Sequence, residues 1–587
     1  MEHLRTLLSS TLVWGAGCGI LLIVLGILVH DVILWKRLPP GPPPFPLIGN
    51  KLHVPSKHPW IRFRDWSKIY GPIYTIWFGR RPTVVISDPT VAAELLEKRS
   101  TKYSTRPRFV TMGEIYWDMA SILVQPYGKE WLVRRKLLHS ALTPRALDNY
   151  KPLQQAESAR LCYQLLQHAD RWEALFDRLT ASIVFAIAYG HRVDDFRSPV
   201  VRQRLEFMQY SSSLNVPGAY LVESFPILKD LPDWMAPWKA EIKRRGRIEA
   251  EANMNLVRVV QRDIESANEA PGTAHIFNSL TKQLLEIRGQ DPASFPLTDR
   301  DFSYIPASLF GAGSDTTAST LCSAMLAIVT TPMVLEMAQA ELDSVVGYDR
   351  LPTFEDMRNL PYLRAFCKEV LRWRPVAVLG GTPHACSEDD FYNGYYIPKG
   401  TVILGNSWAI NLNPEYYPNP DHFNPLRFLD VEPHSLSYLS EQYLSSTKQE
   451  KGTSHPSKLG HSSFGWGRRI CPGADLATNT LLITLSRLLW CFDIRPVPGR
   501  TYDTLDYSSG FNIRPRNLHV KIKVRSDHHG GVVEREYGDA SEFLETLPPF
   551  EDSLPEHSPI KIYFGTFGNP KAENPNERGL AGSQLPM

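Results

Sequence analysis

The chain has 587 residues, a formal net charge of +2 and a hydrophobic fraction of 43%, enough for a large buried core in one or several domains. So even a charge, with no basic tract, excludes a nucleic-acid-binding surface. Seven scattered cysteines, none in a Cys-x-x-Cys pair, exclude a zinc site and a disulfide framework and suit a reducing compartment.

Leu12 to Val29 is uncharged and apolar, and after His30-Asp31 the run continues as Val32-Ile33-Leu34-Trp35. About 20 such residues cross a bilayer, whereas a cleaved secretory signal has a shorter apolar core; a single N-terminal transmembrane helix is expected. Arg5 stands nearly alone before it, while Lys36, Arg37, Lys51, Lys57, Arg62 and Arg64 follow, which places the body on the cytoplasmic side. Leu38-Pro39-Pro40-Gly41-Pro42-Pro43-Pro44-Phe45-Pro46 then reads as a stiff, extended spacer. The expected division is an anchor with the start of the hinge over 1–38, one body over 39–524, and a disordered tail over 525–587, rich in Pro, Glu, Asn and Gly.

Within the body, Ile73 to Trp77 and Pro82 to Ile86 are β-prone segments around Gly79-Arg80-Arg81, a hairpin. Asp88-Pro89 opens a helical pattern with Asp88 as its cap. Tyr127-Gly128 precedes Trp131-Leu132-Val133-Arg134-Arg135. From Pro152 to Val260 the pattern is mostly helical, interrupted by the proline- and aromatic-rich stretch from Phe225 to Trp238. Ser314 to Val329 predicts an apolar helix through the core, directly after Ala312-Gly313. A small pair there leaves room beside the helix, a Thr hydroxyl can enter the backbone ladder, and the neighbouring acid can supply protons. The same Gly-x-Asp-Thr-Thr run also serves as a helix N-cap.

Further on, Glu369-Val370-Leu371-Arg372 puts an acid and a base at i and i+3 on one helix face, a common surface pair were its surroundings not apolar. Pro383-His384-Ala385 and Pro425-Leu426-Arg427-Phe428 follow. Leu429 to Ser463 contains the polar stretch Ser445 to Thr453 and reads as a surface insertion. Last comes Phe464-Gly465-Trp466-Gly467-Arg468-Arg469-Ile470-Cys471-Pro472-Gly473, leading into an apolar helix from Ala474. Glycines at 465, 467 and 473 permit positive φ and close approach to a flat object. The helix end and the arginines favour Cys471 as a thiolate, and thiolate on iron favours O–O cleavage.

This last run resembles the heme-binding loop of the cytochrome P-450 family, matching at Phe464, Gly467, Arg469, Cys471 and Gly473. The other motifs occur in that family's order, and the patterns around Trp408 to Pro414 and Gly394 to Gly400 resemble fungal microsomal members. The resemblance implies a mainly α fold with a small β-rich lobe, and Cys471 as the axial ligand to the iron of heme b. It implies Thr316 and Asp315, beside Ala312 and Gly313, as the oxygen-activating set, and Trp131, Arg135, His384 and Arg469 as propionate partners. An exposed loop histidine is the ordinary alternative for His384. Glu369, Arg372 and Arg427 become a buried network under the Cys loop, and Trp117, Met119, Leu123, Val376, Val378, Leu379 and Phe511 a substrate pocket.

The implied activity is insertion of one oxygen atom from O2 into an apolar small molecule, a terpenoid or polyketide intermediate of secondary metabolism. NADPH electrons arrive through a separate flavoprotein reductase, with cytochrome b5 as a further donor, at the endoplasmic reticulum membrane and in contact with its lipid. Two alternatives stay open: a reductase-independent heme-thiolate isomerase or dehydratase, and a membrane-tethered heme sensor.

Overall fold

The computed structural model describes residues 2–550 except 196, 217–218, 270–276, 291, 293–294, 296, 433–435, 440–442 and 445–451; before Leu21 it describes the side chains of Trp14 and Cys18 only. One helix, α1 (Glu2–Arg37), opens the chain. Among the described residues no single helix is long and apolar enough to cross a membrane. The expected span is therefore not supported here, because much of the apolar run before Leu21 lies outside the described side chains. The end of α1 is fastened to the body: Asp31 accepts two 2.8 Å hydrogen bonds from Arg80, and the Arg37 guanidinium lies 4.4 Å from the Tyr396 ring centre.

The proline-rich segment is not a free spacer. Leu38 is buried, Pro40 O accepts from Thr75 N, and Asn50 donates to the carbonyls of Pro42 and Pro43. It lies along the first strand.

After α2 (Pro59–Tyr70), the expected hairpin forms from β1 (Ile73–Phe78) and β2 (Arg81–Ile86), antiparallel with Ile73 opposite Ile86 and Phe78 opposite Arg81. The left-handed φ of +59° at Gly79 lets the chain reverse. α3 (Pro89–Ala92) is capped as expected, with Asp88 accepting from the amides of Thr90 and Val91. α4 (Ser100–Tyr103), α5 (Lys129–Ser140), α6 (Pro144–Gln167), α7 (Trp172–Tyr189), α8 (Pro199–Leu214), α9 (Pro237–Glu269) and α10 (Leu280–Gln290) follow.

The central helix, α11 (Asp299–Thr330), begins fifteen residues earlier than the apolar pattern suggests. Thr298 caps it by accepting from Asp301 N, and Pro306 is carried inside it. The run at Gly313-Ser314-Asp315 is thus helix interior, not a cap. α12 (Met333–Val345) and α13 (Pro361–Trp373) lead to β3 (His384–Ala385), the ribbon β4 (Asp390–Tyr392) and β5 (Tyr395–Ile397), and β6 (Val402–Gly405). The lobe's sheet has the order β1-β2-β6-β3, with β2 and β6 parallel. α14 (Ser407–Asn411), α15 (Ala474–Cys491) and the ribbon of β7 (Phe492–Pro496) with β8 (Val520–Val524) complete the body.

Two further expectations need correction. The segment from 429 to 463 is not only surface: Leu439 and Tyr443 are buried, and the Tyr443 and Tyr362 hydroxyls lie 2.8 Å apart. Of the polar stretch Ser445 to Thr453, residues 445–451 lie outside the described residues. Nor is the chain structureless from Arg525. Ser526 caps α16 (Asp527–Glu545), which packs on α6 with the Tyr163 and Tyr537 rings stacked at 4.1 Å. Leu547 and Phe550 are buried, and Phe550 meets Phe185 of α7 edge-on at 4.9 Å. Residues 551–587 lie outside the described residues.

Candidate active site

The Cys loop is closed by its own backbone, Cys471 N donating to Phe464 O at 2.8 Å. Gly467 has φ +59°, and a Cβ there would lie 2.0 Å from Leu96 O; both facts require glycine. Gly465 is left-handed as well, at φ +77°. Gly473 is not (φ −94°); it lies beside the Cys471 sulfur instead. Although the loop sits at the head of a buried helix, the Cys471 side chain is exposed, so its sulfur is open to a partner.

Burial pushes the Cys471 thiol up, while the Gly473 N–H and Arg135 pull it down. The arginines and helix end do not alone secure the thiolate expected from the sequence. A metal cation on the sulfur would complete that balance.

The exposed positions of otherwise buried elements mark the cleft wall. On α11, Ala312 is exposed next to the buried Gly311, and the Thr316 hydroxyl donates to Ala312 O at 2.8 Å, entering the backbone ladder as expected. Gly313 does different work from its neighbour: a Cβ there would lie 2.4 Å from Val184 Cγ1, so it admits α7. Asp315 turns to the C-terminal turn, where Asn512 Nδ2 donates to it at 2.8 Å.

Of the expected pocket residues, Leu123 and Phe511 are exposed and Leu379 and Met119 half-buried. Val376, Val378 and Trp117 are buried instead. Val378 packs in the main core and accepts from Trp408 N, and Trp117 gives its indole N–H to Glu249. Ile470, exposed within the Cys loop, joins the wall.

Trp131 and Arg135 lie on α5. Arg135 donates to Ile470 O at 2.6 Å, and the Arg469 guanidinium stacks 4.2 Å from the Trp131 ring centre. Arg106, which no motif singled out, completes a cationic cluster: it donates to the carbonyls of Pro383 and Leu123. Burial pushes Arg106 down to about 9, and burial with repulsion from Arg106 and Arg135 pushes Arg469 down to about 8. Arg106, Arg135 and Arg469 hydrogen-bond carbonyls, and none of the three makes an ion pair with a carboxylate among the described residues.

His384 is buried rather than an exposed loop residue. Its Nδ1 lies 2.7 Å from Tyr103 O, and burial, then Arg106, pushes it down to about 3. The neutral ring donates to Tyr103; Nε2 becomes a donor only when an added anion favours the doubly protonated ring.

Glu369 and Arg372 are fully buried and bidentate at 2.6 and 2.7 Å. Glu369 also accepts from Asn424 N at 2.8 Å and lies 3.5 Å from Arg427. Arg372 donates to Asn411 O, and Asn411 Oδ1 accepts from Ser462 N and Oγ. Ser463, hydrogen-bonded to Asn411 and to Leu371 O, adjoins Phe464. The expected network thus reaches the Cys loop through Asn411, Ser462 and Ser463. Sequence reading passed over these because single uncharged polar residues carry no spacing.

The residues present fit a heme: one exposed sulfur, an exposed small residue on the core helix, and guanidiniums lacking carboxylate partners, ready for two propionates.

The chain matches the family model for Cytochrome P450 over residues 39–522. It is 38% identical over 503 residues to cytochrome P450 monooxygenase 58 of Postia placenta, covering 84% of this chain and 89% of that protein. It is 34% identical over 511 residues to a cytochrome P450 monooxygenase of Armillaria gallica, covering 86% and 92%. With cytochrome P450 monooxygenase FrzL of Cladobotryum the identity is 32% over 509 residues, covering 85% and 90%.

Proposed function

The chain belongs to the cytochrome P450 family, and we propose that it is a reductase-fed monooxygenase acting on an apolar terpenoid or polyketide intermediate. The balance is RH + O2 + NADPH + H⁺ giving ROH + H2O + NADP⁺. The observation that carries this reading is the exposed side chain of Cys471, in a loop tied to Arg135 of α5 and followed by an otherwise buried helix.

Heme b, which Cys471 would bind, would supply the reductive activation of dioxygen. Arg106, Arg135 and Arg469 would hold its propionates by charge-assisted hydrogen bonds, and His384 would add one when doubly protonated. The Thr316 hydroxyl, paired to Ala312 O, presents a donor and an acceptor at the cleft wall. Asp315 carries protons towards it. Leu123, Leu379, Ile470 and Phe511 exclude water and orient an apolar substrate through shape. An intact acid and threonine favour the oxygen-inserting reading over a reductase-free rearrangement, which needs no delivered protons.

We place the body on the cytoplasmic face of the endoplasmic reticulum, with α1 as a single-pass anchor. Leu21, Leu22 and Ile23 are exposed on α1, as are Leu221, Ile227 and Trp234 in the loops before α9, and aromatic and apolar side chains of this kind favour a bilayer and its interface. An NADPH-dependent flavoprotein reductase and cytochrome b5 are the partners.

Membranes carrying this chain and its reductase, fed a host metabolite extract under ¹⁸O2, test the activity. A product gaining one labelled oxygen, dependent on NADPH and reductase, is expected; reductase-independent turnover would refute the assignment. Carbonate washing should leave the full chain in the pellet and release a form lacking residues 1–36.

A further inference from the structure

We infer that the turn Phe511–Arg514 positions the acid that carries protons and couples it to the substrate wall. This rests on the proton role proposed for Asp315. The Asp315 carboxylate is held by a side chain from outside its own helix: Asn512 Nδ2 donates to Oδ2 at 2.8 Å. Within α11, Ser319 Oγ reaches Oδ1 only at 3.4 Å. The nearest cation, Arg514, is committed elsewhere. It forms a bidentate pair with Asp177 of α7, donates from Nε to Ser319 Oγ at 3.2 Å, and comes no closer than 3.8 Å to Asp315.

This division of labour matters chemically. A bidentate guanidinium would fix both carboxylate oxygens of Asp315. A single amide fixes one oxygen and leaves the carboxylate able to turn. Arg514 anchors the turn to α7 and leaves the acid movable.

The other residues of the turn supply the coupling. Ile513 is buried, with its N–H bonded to Val376 O at 3.0 Å. Phe511, immediately before Asn512, is exposed, and its ring lies near Gly381. Ile513 and Arg514 are therefore fixed points, and Phe511 and Asn512 are the movable pair. A molecule pressing on Phe511 moves the amide that holds Asp315, so proton delivery responds to occupancy of the cleft. Asn512 and Arg514 are positioning residues in this scheme.

Hydrogen–deuterium exchange on the holoenzyme tests the coupling, with 1-phenylimidazole as the cleft-filling probe. In the parent, peptides covering 505–516 and 312–320 should change protection together. In Asn512→Ala only 505–516 should respond. A second readout is the solvent deuterium isotope effect on reductase-driven NADPH oxidation, which should rise about two- to fivefold in Asn512→Ala. Asn512→Gln should restore it partly, with an unchanged melting temperature in both. An isotope effect equal to the parent's, or a 312–320 response that survives Asn512→Ala, overturns the inference. A parent whose isotope effect does not respond to Thr316→Ala would instead remove the underlying proton-delivery reading.

Discussion

Two regions brace the helical core by opposite means. Beneath the Cys loop, a buried carboxylate and guanidinium lock α13 to the loop through Asn411, Ser462 and Ser463. On the far side of α6 and α7, the extension from Arg525 to Phe550 braces the core with apolar side chains: Val532, Val533, Leu544, Leu547 and Phe550 are all buried. Its polar ties are peripheral, such as Arg525 to Asp343 and the Phe550 and Arg192 backbone pair. Directional charge sets the position of one loop; non-directional burial adds stability without setting any catalytic atom.

Removing the second brace should have the largest effect. Fully burying each of these side chains is worth about 1.5–3 kcal/mol, so their sum rivals the roughly 5–15 kcal/mol stability of a whole domain. A chain ending at Arg525 should lose cooperative thermal unfolding; melting within a few degrees of the parent would show the extension to be dispensable.

The ionic brace should fail more locally. Glu369→Gln keeps the shape, leaves Arg372 buried without its counter-ion, and should cost about 3–5 kcal/mol. Heme retention on dilution should fall before the helical circular dichroism signal does. If both fall together, the network supports the whole core and the contrast between the regions disappears.

A smaller effect comes with acid. His461, buried beside Phe464, is pushed down to about 3, chiefly by burial. Its folded value lies below the unfolded value of about 6.5, so the unfolded chain binds the extra proton. Stability is full above about 6.5 and falls as pH drops towards 3, by about 1.4 kcal/mol per pH unit from this group. His461→Gln should flatten that slope in urea titrations at pH 5 and 6. An unchanged slope would assign the acid sensitivity elsewhere, for instance to His191 beside Phe550, which burial also lowers.

The same contrast explains what the sequence disclosed. Gly465 and Gly467 were legible because a left-handed turn in a Gly-rich run is a local signal, and the buried Glu369–Arg372 pair was legible from its apolar surroundings and the family resemblance, not from its spacing. The hairpin and the Asp88 cap are local signals too. The extension was not, although Val533, Tyr537, Ala540, Leu544 and Leu547 follow a helical stripe. Composition averaged over 525–587 let the Pro- and Asn-rich end hide it. Arg106, Asn512 and Arg514 gain meaning only from segments far away in sequence. Val378 was misplaced because an apolar residue near a pocket reads the same whether it lines the wall or supports it.

The proposed chemistry depends on Cys471 as the sulfur that would hold the iron. Absorption of the dithionite-reduced protein under carbon monoxide tests this most directly, on the parent and on Cys471→Ala. The parent should show the red-shifted Soret band of thiolate-ligated heme, and Cys471→Ala should lack it. A Cys471→Ala protein that keeps the band would contradict the account at its centre.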